Sequence, residues 1–378
     1  MIVEFVLSII KVTALVGFII LGIVIDCGGA PEGGYLGAKY WYDPGAFTTF
    51  PGFCSVFTTA AFAFGGTEMS GLAAAESANP AKSLPKACKQ VFWRIMIFYV
   101  LGTFIVGLIV PSNAPWLLTA SNGNTAASPF VKSIQLAGIS GLPSVMNAVI
   151  TISVISVANS ATFGSTRTIQ ALAARGMAPK FFSYVDKAGR PVWCVLLQIA
   201  FGFLAFINEA SSTGSTIFTW LLALSGISNF FCWGTICLAH VRFRAAWKYN
   251  GRSTDELAYA APLGVWGSYL GLFLNALCLI AVFYVSVAPK DAMLFFEGYL
   301  ALPIVIFLYA VWRVYSAFST DPSVEKRGWK LWRSVDEIDV LSGMRDSALD
   351  VDLAPRVKYD TWGAWLKALP MRLLRSLI

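Results

Sequence analysis

Three sets of polar residues lie inside otherwise apolar segments, and their types and spacing could support ligand binding or proton transfer. Lys11 lies in the middle of the apolar segment 5–25, and Glu68 lies in the apolar segment 53–75. The third set recurs every three to four residues in a further apolar segment and consists of Ser153, Ser156, Asn159 and Ser160. Ionisable groups are costly inside a membrane, so they mark functional sites by default. The sequence therefore favours a functional role for Lys11 and Glu68.

Glu68 follows a stretch that is unsuited to continuous helix. Gly65, Gly66 and Thr67 precede it, and glycine costs about 1 kcal/mol relative to alanine in a helix interior. Interrupted backbone inside a bilayer is tolerated where it is buried in protein or lines a cavity, and transporters hold ligands at such breaks. We predict a discontinuous helix here. Glu68 would then serve in binding or gating, or it would be a structural partner for the unwound backbone or a neighbouring helix.

The inventory of reactive side chains argues against an enzyme. The chain has one histidine, His240, and none of its seven cysteines forms a CxxC pair. This excludes most histidine-ligated metal sites, histidine-based triads and a disulfide framework, so we predict no cofactor and no metal. An intramembrane enzyme such as an acyltransferase is the alternative, and it would need a facing pair of His, Cys or carboxylate groups.

The elements that position these residues are predicted to be membrane-spanning helices. Of the 378 residues, 57% are hydrophobic and 13% are charged, and the mean hydropathy is +0.66. The apolar residues form blocks of about 20, the length that crosses a bilayer as helix, which excludes a water-soluble globule. The predicted spans are 5–25, 53–75, 92–111, 145–172, 192–208, 216–240, 264–288 and 294–315.

Basic residues are distributed unequally between alternate loops. One set of connections holds twelve lysines and arginines, and the other set holds three, Lys39, Lys132 and Lys290. By the positive-inside rule this asymmetry places both chain termini in the cytosol. The net charge is +7, and the basic residues lie between apolar blocks. We therefore expect contact with anionic lipids of the inner leaflet and none with nucleic acid.

The composition changes near residue 317. Residues 317–378 hold nine acidic and ten basic residues, which predicts a transmembrane domain over 1–316 and a cytosolic C-terminal tail over 317–378. Apolar residues recur at helical spacing over 362–377 with basic residues between them. This pattern predicts either an interfacial amphipathic helix or an ordinary packing helix.

Several long segments carry a family resemblance. They read FAFGGTEMSGLAAAE, SANPAKSLPKACKQVFWR, ISVISVANSATFGSTRTIQALAARGMAPKFFSYVDKAGRPV and WLLALSGISNFFCWGTICLAHVRFR. These segments resemble the fungal amino acid permeases of the amino acid, polyamine and organocation transporter superfamily. The resemblance covers residues 4–345, where DVLSGMRD is a weaker match to a juxtamembrane motif of that family.

The resemblance implies an all-α polytopic membrane protein. Family members have twelve spans, in which two five-helix repeats of opposite topology precede two further helices. This chain is similar to spans five to twelve of that broken-helix, inverted-repeat fold. We therefore expect the first four spans to be missing, through a truncated gene model or a shortened protein.

The resemblance also implies a function and a site. The function is proton-coupled symport of amino acids into the cell across the plasma membrane, by alternating access. The implied substrate-binding residues are Phe62, Ala63, Gly65, Gly66, Thr67, Glu68, Asn159, Ser160 and Ser225, and the implied proton-coupling residues are Lys11 and Glu68. Ala63 and Ser225 supply no countercharge, which favours neutral amino acids or a broad range.

Simpler roles remain open for each of these positions. An aromatic residue such as Phe62 at helical spacing commonly packs in a core, and Lys11 could extend its ammonium to the membrane surface. Hydrogen bonding between helices would account for the Ser153 to Ser160 stripe without a ligand. For the whole chain, the alternative is a non-transporting relative, such as a nutrient receptor or a regulatory or pseudogene product.

Overall fold

A computed structural model describes residues 2–47, 49–71, 80–119, 128–206, 213–257, 259–261, 263–288, 290–319 and 332–340. Every regular element in these ranges is helical. The α-helices are, in chain order, α1 Ile2–Asp26, α2 Phe50–Phe64, α3 Pro80–Ile95, α4 Leu101–Ile109, α5 Pro115–Thr119, α6 Pro129–Leu136, α7 Leu142–Ala174, α8 Val192–Gly202, α9 Thr213–Tyr249, α10 Gly264–Val287, α11 Ala292–Tyr299 and α12 Ala301–Phe318. The expectation of an all-α polytopic fold is confirmed.

Six helical stretches in the described part of the chain are long and apolar enough to cross a membrane. They are Val3–Asp26, Ser83–Ile109, Leu142–Ala174, Trp220–Tyr249, Gly264–Val287 and Ala301–Phe318. A π-helical turn, Met96–Val100, joins α3 to α4 within the second of these stretches. The protein is therefore an integral, multi-pass membrane protein.

Two of the predicted spans, 53–75 and 192–208, are not among these six stretches. The segment 192–208 contains a shorter apolar helix, Val192–Phe206. The segment 53–75 contains α2, which ends at Phe64, and residues 65–68 form a turn before helix resumes at 69–71. The helix is thus interrupted at the two glycines, as predicted. The count of eight membrane crossings stays a prediction.

The last predicted span, 294–315, is divided in the structure. α11 ends at Tyr299, and α12 begins at Ala301 and continues to Phe318. Pro303 lies in the first turn of α12, where its missing N–H group costs nothing because the first N–H groups of a helix have no partner. The amphipathic helix predicted over 362–377 lies outside the described residues, as does most of the predicted tail.

The chain divides into two compact units. The first contains the described residues within Met1–Phe53 and Arg94–Leu221. The second contains those within Cys54–Trp93, Leu222–Thr320 and Glu325–Ile378.

In the first unit, α1 packs against α4 and α7. Phe18, Ile105 and Ile134 belong to one buried apolar cluster. Gly22 permits the close approach of α1 and α4, because a Cβ atom at that position would overlap the side chain of Ile105. This packing fixes the face that α1 turns toward α7.

α7 is 33 residues long, and most of its hydroxyl groups bond within the helix. Thr151 donates to the carbonyl of Asn147 at 3.0 Å, and Ser153 donates to the carbonyl of Val149 at 2.7 Å. Thr162 does the same with the carbonyl of Ala158 at 2.8 Å. These groups are satisfied locally. Ser153 therefore differs from the rest of its stripe.

The second unit is built around α9, α10, α11 and α12. Ile227, Val282, Tyr299 and Ala301 form its buried cluster, and the Tyr299 hydroxyl donates to the carbonyl of Leu279 at 3.2 Å. Gly226 allows α9 to lie close to α2, since a Cβ atom there would be 2.5 Å from the carbonyl oxygen of Thr58.

Candidate functional site

Lys11 makes a specific contact with the polar stripe of α7. Its ammonium donates a hydrogen bond to the Ser156 hydroxyl at 2.7 Å. Lys11 is partly buried, and Ser156 is fully buried at 0% exposure. An ammonium group in the membrane needs such a partner. Lys11 therefore faces α7, and its terminal amine is held inside the first unit.

Glu4 lies on the same side of α1 and meets the same stripe. The Ser156 hydroxyl donates to Glu4 Oε1 at 2.6 Å, and the Ser160 hydroxyl donates to the same oxygen at 3.0 Å. The Asn159 amide donates to Glu4 Oε2 at 3.1 Å. The carboxylate thus accepts three hydrogen bonds. We call these five residues, Glu4, Lys11, Ser156, Asn159 and Ser160, the Glu4 cluster.

The geometry of the Glu4 cluster follows from helix periodicity. Glu4 and Lys11 are seven residues apart, about two turns of α1, and so share a face. Ser156, Asn159 and Ser160 are spaced by three and four residues, which places them on one face of α7. Packing of α1 on α7 then brings an ammonium, a carboxylate and three neutral polar groups together.

The Glu4 cluster joins two ionisable groups, both partly buried, through one fully buried hydroxyl. Hydrogen bonds that involve an ionised partner are about twice as strong as neutral ones. The Ser156 hydroxyl therefore gives Lys11 and Glu4 a shared polar partner inside the first unit.

The second candidate region is the interruption after α2. Gly66 has φ +94°, a conformation that L side chains rarely adopt. The Gly65 N–H donates to the carbonyl of Phe62 at 3.1 Å, one residue nearer than in an α-helix. The helix therefore tightens and ends here, and the carbonyl of Ala61 loses its usual helical donor.

Asn229 of α9 satisfies that carbonyl. Its amide nitrogen donates to the Ala61 carbonyl oxygen at 3.0 Å. A Cβ atom at Gly65 would lie 2.6 Å from this same nitrogen. Gly65 is thus required by the close approach of Asn229, and Asn229 compensates for the break in the helix.

Glu68 is engaged by the interrupted backbone and by α9. Its Oε1 accepts a hydrogen bond from the Gly66 N–H at 3.2 Å. Its Oε2 accepts one from the Trp233 indole N–H at 3.3 Å and lies 3.5 Å from the Thr67 hydroxyl oxygen. The structural role that the sequence left open for Glu68 is therefore present in this conformation. A carboxylate held by a turn and an indole can also accept a ligand's ammonium.

The remaining predicted residues flank this break. Phe62 is 46% exposed, and Ser225 is exposed beside buried Gly226. Phe62, Ala63, the residues from Gly65 to Glu68, and Ser225 belong to the second unit, whereas Lys11, Asn159 and Ser160 belong to the first. Each unit thus contains a partly buried candidate carboxylate, Glu4 in the first and Glu68 in the second.

Three residues that contribute to these sites were missed in the sequence analysis. For Glu4, the spacing of two helical turns from Lys11 was a usable signal. Asn229 and Trp233 are four residues apart in an apolar helix, a pattern that indicates a polar face. No three His, Cys, Asp or Glu side chains in the described ranges could together hold a metal ion.

Comparison with known proteins identifies the family. The family model described as "Amino acid permease" matches residues 2–322. The chain is 50% identical to the general amino-acid permease GAP1 of Saccharomyces cerevisiae over 92% of its own length and 58% of that protein. It is 50% identical to the cationic amino acid transporter 1 of Schizosaccharomyces pombe over 89% of its length and 59% of that protein.

A third relative has the same coverage. The chain is 48% identical to the general amino-acid permease GAP2 of Candida albicans over 93% of its length and 58% of that protein. The chain therefore spans less than two thirds of the length of these relatives. The family model and the relatives agree, and the chain belongs to the amino acid permease family.

Proposed function

We propose that the protein takes part in secondary active uptake of amino acids, driven by proton entry across the plasma membrane. Membership of the amino acid permease family supports the transport of amino acids. The proposed mechanism is alternating access, in which the substrate binds at the interrupted helix after α2 and no covalent chemistry occurs. Both termini would lie in the cytosol, and the basic loops would contact anionic lipid.

The single observation that best supports this proposal is the interruption at Gly65 to Glu68. The carboxyl end of α2 carries the partial negative charge of a helix terminus, which suits a substrate ammonium. Glu68 adds a full negative charge at the same turn, and Phe62, half exposed, is near enough in sequence to cover a side chain. These features fit the ammonium group and a variable side chain of an amino acid.

Lys11 is proposed as a proton-coupling residue. Its amine is an ionisable group inside a membrane-spanning helix, and it is bonded to Ser156 at 2.7 Å. An intramembrane ionisable group that exchanges a proton would link proton entry to a change in the packing of α1 and α7.

The test is amino acid uptake in yeast cells that lack their own amino acid permeases. We would compare this chain alone with a version extended ahead of Met1 by four spans of the Saccharomyces cerevisiae relative. Radiolabelled uptake should be concentrative, should increase as external pH falls and should be abolished by a protonophore. Glu68→Gln should lower it by about 10²-fold, as expected for loss of a positioned proton-transfer group, with surface expression intact.

The control is Glu32→Gln, since Glu32 is an exposed carboxylate outside the apolar helices. It should leave uptake unchanged. Concentrative uptake by Glu68→Gln at the wild-type rate would contradict the site assignment. Saturable amino acid binding without uptake in both chain versions would instead support the receptor alternative.

A further inference from the structure

The Ser156 hydroxyl lies between an amine and a carboxylate. It accepts a hydrogen bond from Lys11 at 2.7 Å and donates one to Glu4 Oε1 at 2.6 Å. We propose that Lys11 and Glu4 exchange a proton through this hydroxyl, so that Glu4 is a second proton-carrying residue of the transporter. The inference deepens the proposed proton-coupled function and rests on it.

The contact between the two charged groups is made by the hydroxyl alone. Among the described residues, no ion pair joins Lys11 directly to Glu4, although the two share a face of α1. Ser156 is 0% exposed, and both of its hydrogen bonds, at 2.7 and 2.6 Å, have the lengths of charge-assisted hydrogen bonds. A proton that leaves Lys11 toward Glu4 therefore passes through Ser156.

The transfer is balanced in atoms and charge. An N–H bond of the Lys11 ammonium breaks, and that proton bonds to the Ser156 oxygen. The original Ser156 proton moves to Glu4 Oε1. The products are a neutral amine, a neutral carboxylic acid and an intact hydroxyl, so two protons move and the net charge of the cluster is unchanged.

Two effects act on this transfer in opposite directions. Burial penalises charged groups in general, which favours transfer to neutral products. The hydrogen bonds from Asn159 and Ser160 to Glu4 favour the carboxylate, because both groups donate to it. Asn159 and Ser160 are thus positioning residues for Glu4 in this conformation.

Other charged groups in the helices that pack on α1 lie outside the cluster. α4 contains no titratable residue, and Arg167 is the only charged residue of α7. Arg167 lies seven residues beyond Ser160, about 10 Å along a helix axis, and its guanidinium is over the Phe163 ring at 5.6 Å. Asp26, at the other end of α1, is about 22 Å along the axis from Lys11. Glu4 and Lys11 therefore dominate the local field.

The test combines transport with a spectroscopic measurement on the chain extended as above. Ser156→Ala removes the hydroxyl link, and Ser153→Ala is its matched control because Ser153 bonds to its own helix. Ser156→Ala should lower proton-driven accumulation by about tenfold or more, a modest part of the 10²–10⁴-fold typical of proton-transfer groups. Exchange of labelled for unlabelled amino acid without a proton gradient should stay within about twofold of wild type. Ser153→Ala should retain both.

Equal loss of accumulation and exchange in Ser156→Ala would overturn the inference, since it would indicate a structural role. So would normal accumulation in this variant. The double variant Glu4→Gln with Lys11→Met leaves no unpaired charge and guards against misfolding. It should show the same loss of accumulation with retained exchange.

Infrared spectroscopy of the purified protein separates this inference from the proposed function. Protonated Glu4 should give a carboxylic acid C=O absorption that changes with pH, that is lost in Glu4→Gln and that persists in Glu68→Gln. The same absorption in wild-type and Glu4→Gln protein would overturn the inference even if uptake were proton-coupled. Absence of uptake with this absorption present would overturn only the proposed function.

Discussion

At the scale of single residues, the two partly buried carboxylates, Glu4 and Glu68, differ in the groups that bind them. Glu4 accepts hydrogen bonds from three side chains of one neighbouring helix. Glu68 accepts from the N–H of Gly66, in its own turn, and from Trp233. Hence a change in the packing of α7 would alter the environment of Glu4, whereas a change in the turn itself would alter that of Glu68.

Asn229→Ala tests the compensation of the helix break. The substitution leaves the Ala61 carbonyl without its donor, and an unsatisfied buried acceptor costs about 1–3 kcal/mol. We expect a lower unfolding temperature of the purified protein in detergent, together with weaker amino acid binding. Asn250→Ala is the matched control. The Asn250 amide also donates to a backbone carbonyl, that of Ala246, at 2.8 Å, but the Asn250 backbone N–H donates to the same carbonyl at 3.0 Å and would continue to satisfy it. Equal destabilisation by both would refute the role given to Asn229.

Residue chemistry explains which parts of these sites were predictable. The break follows from the intrinsic cost of two adjacent glycines in a helix, so sequence was sufficient to locate it. The partners of Glu4 could not be derived, because the rotation of α1 against α7 depends on packing between helices far apart in sequence. The spacing of the Ser153 to Ser160 stripe shows which residues share a face but not which of them contact α1. Ser153 donates to its own helix and Ser156 donates to Glu4, and the sequence does not distinguish the two.

At the scale of elements, the contact of α1 with α4 depends on a small residue. Gly22→Ala would place a Cβ atom against Ile105, and overpacking a filled interface costs about 1–3 kcal/mol. We expect a lower unfolding temperature for Gly22→Ala. Gly17→Ala in the same helix has open space around the new methyl group, so it should be neutral or stabilising by up to about 1 kcal/mol.

A second change provides the check on this interface. Ile105→Ala combined with Gly22→Ala should cost less stability than the sum of the two single changes, because the new methyl group then has room. If the double variant were as unstable as that sum, or less stable, the close approach of α1 and α4 would not be the cause.

The connection between α7 and α8 contains a turn that depends on pH. Hydrogen bonding from the Arg190 backbone N–H, followed by that from its side chain, holds the pKa of Asp186 below its ordinary value of 3.8. The stabilisation of this turn is therefore fully present above that value and is lost as pH falls through the lower folded-state pKa. The protection of the Ala188 and Arg190 amides from hydrogen exchange, relative to their intrinsic rates at each pH, should decrease in that range. Asp186→Asn should show faster exchange at neutral pH, and unchanged exchange in this variant would contradict the assignment.

At the scale of the whole molecule, the apolar blocks predict the fold class, whereas the loop charges predict the orientation in the membrane. Apolar blocks of about 20 residues indicate a polytopic helical protein because no other structure satisfies the backbone in lipid as simply. The exact helix ends are less predictable: the single predicted span 294–315 is divided in the structure, where α11 ends at Tyr299 and α12 begins at Ala301. The predicted orientation of the chain in the membrane rests on the difference between the two sets of alternate loops, which hold twelve and three basic residues. Labelling of tags at both termini from either side of the membrane would test this orientation.

The length of α7 has a consequence for how the protein responds to its lipid. Its 33 residues correspond to about 50 Å of helix, compared with a hydrocarbon core of about 30 Å. The excess must be taken up by tilt or by protrusion into water, and a change in bilayer thickness alters that balance. Because α7 carries Ser156, Asn159 and Ser160, acyl-chain length becomes a physical variable that can shift their position along α1.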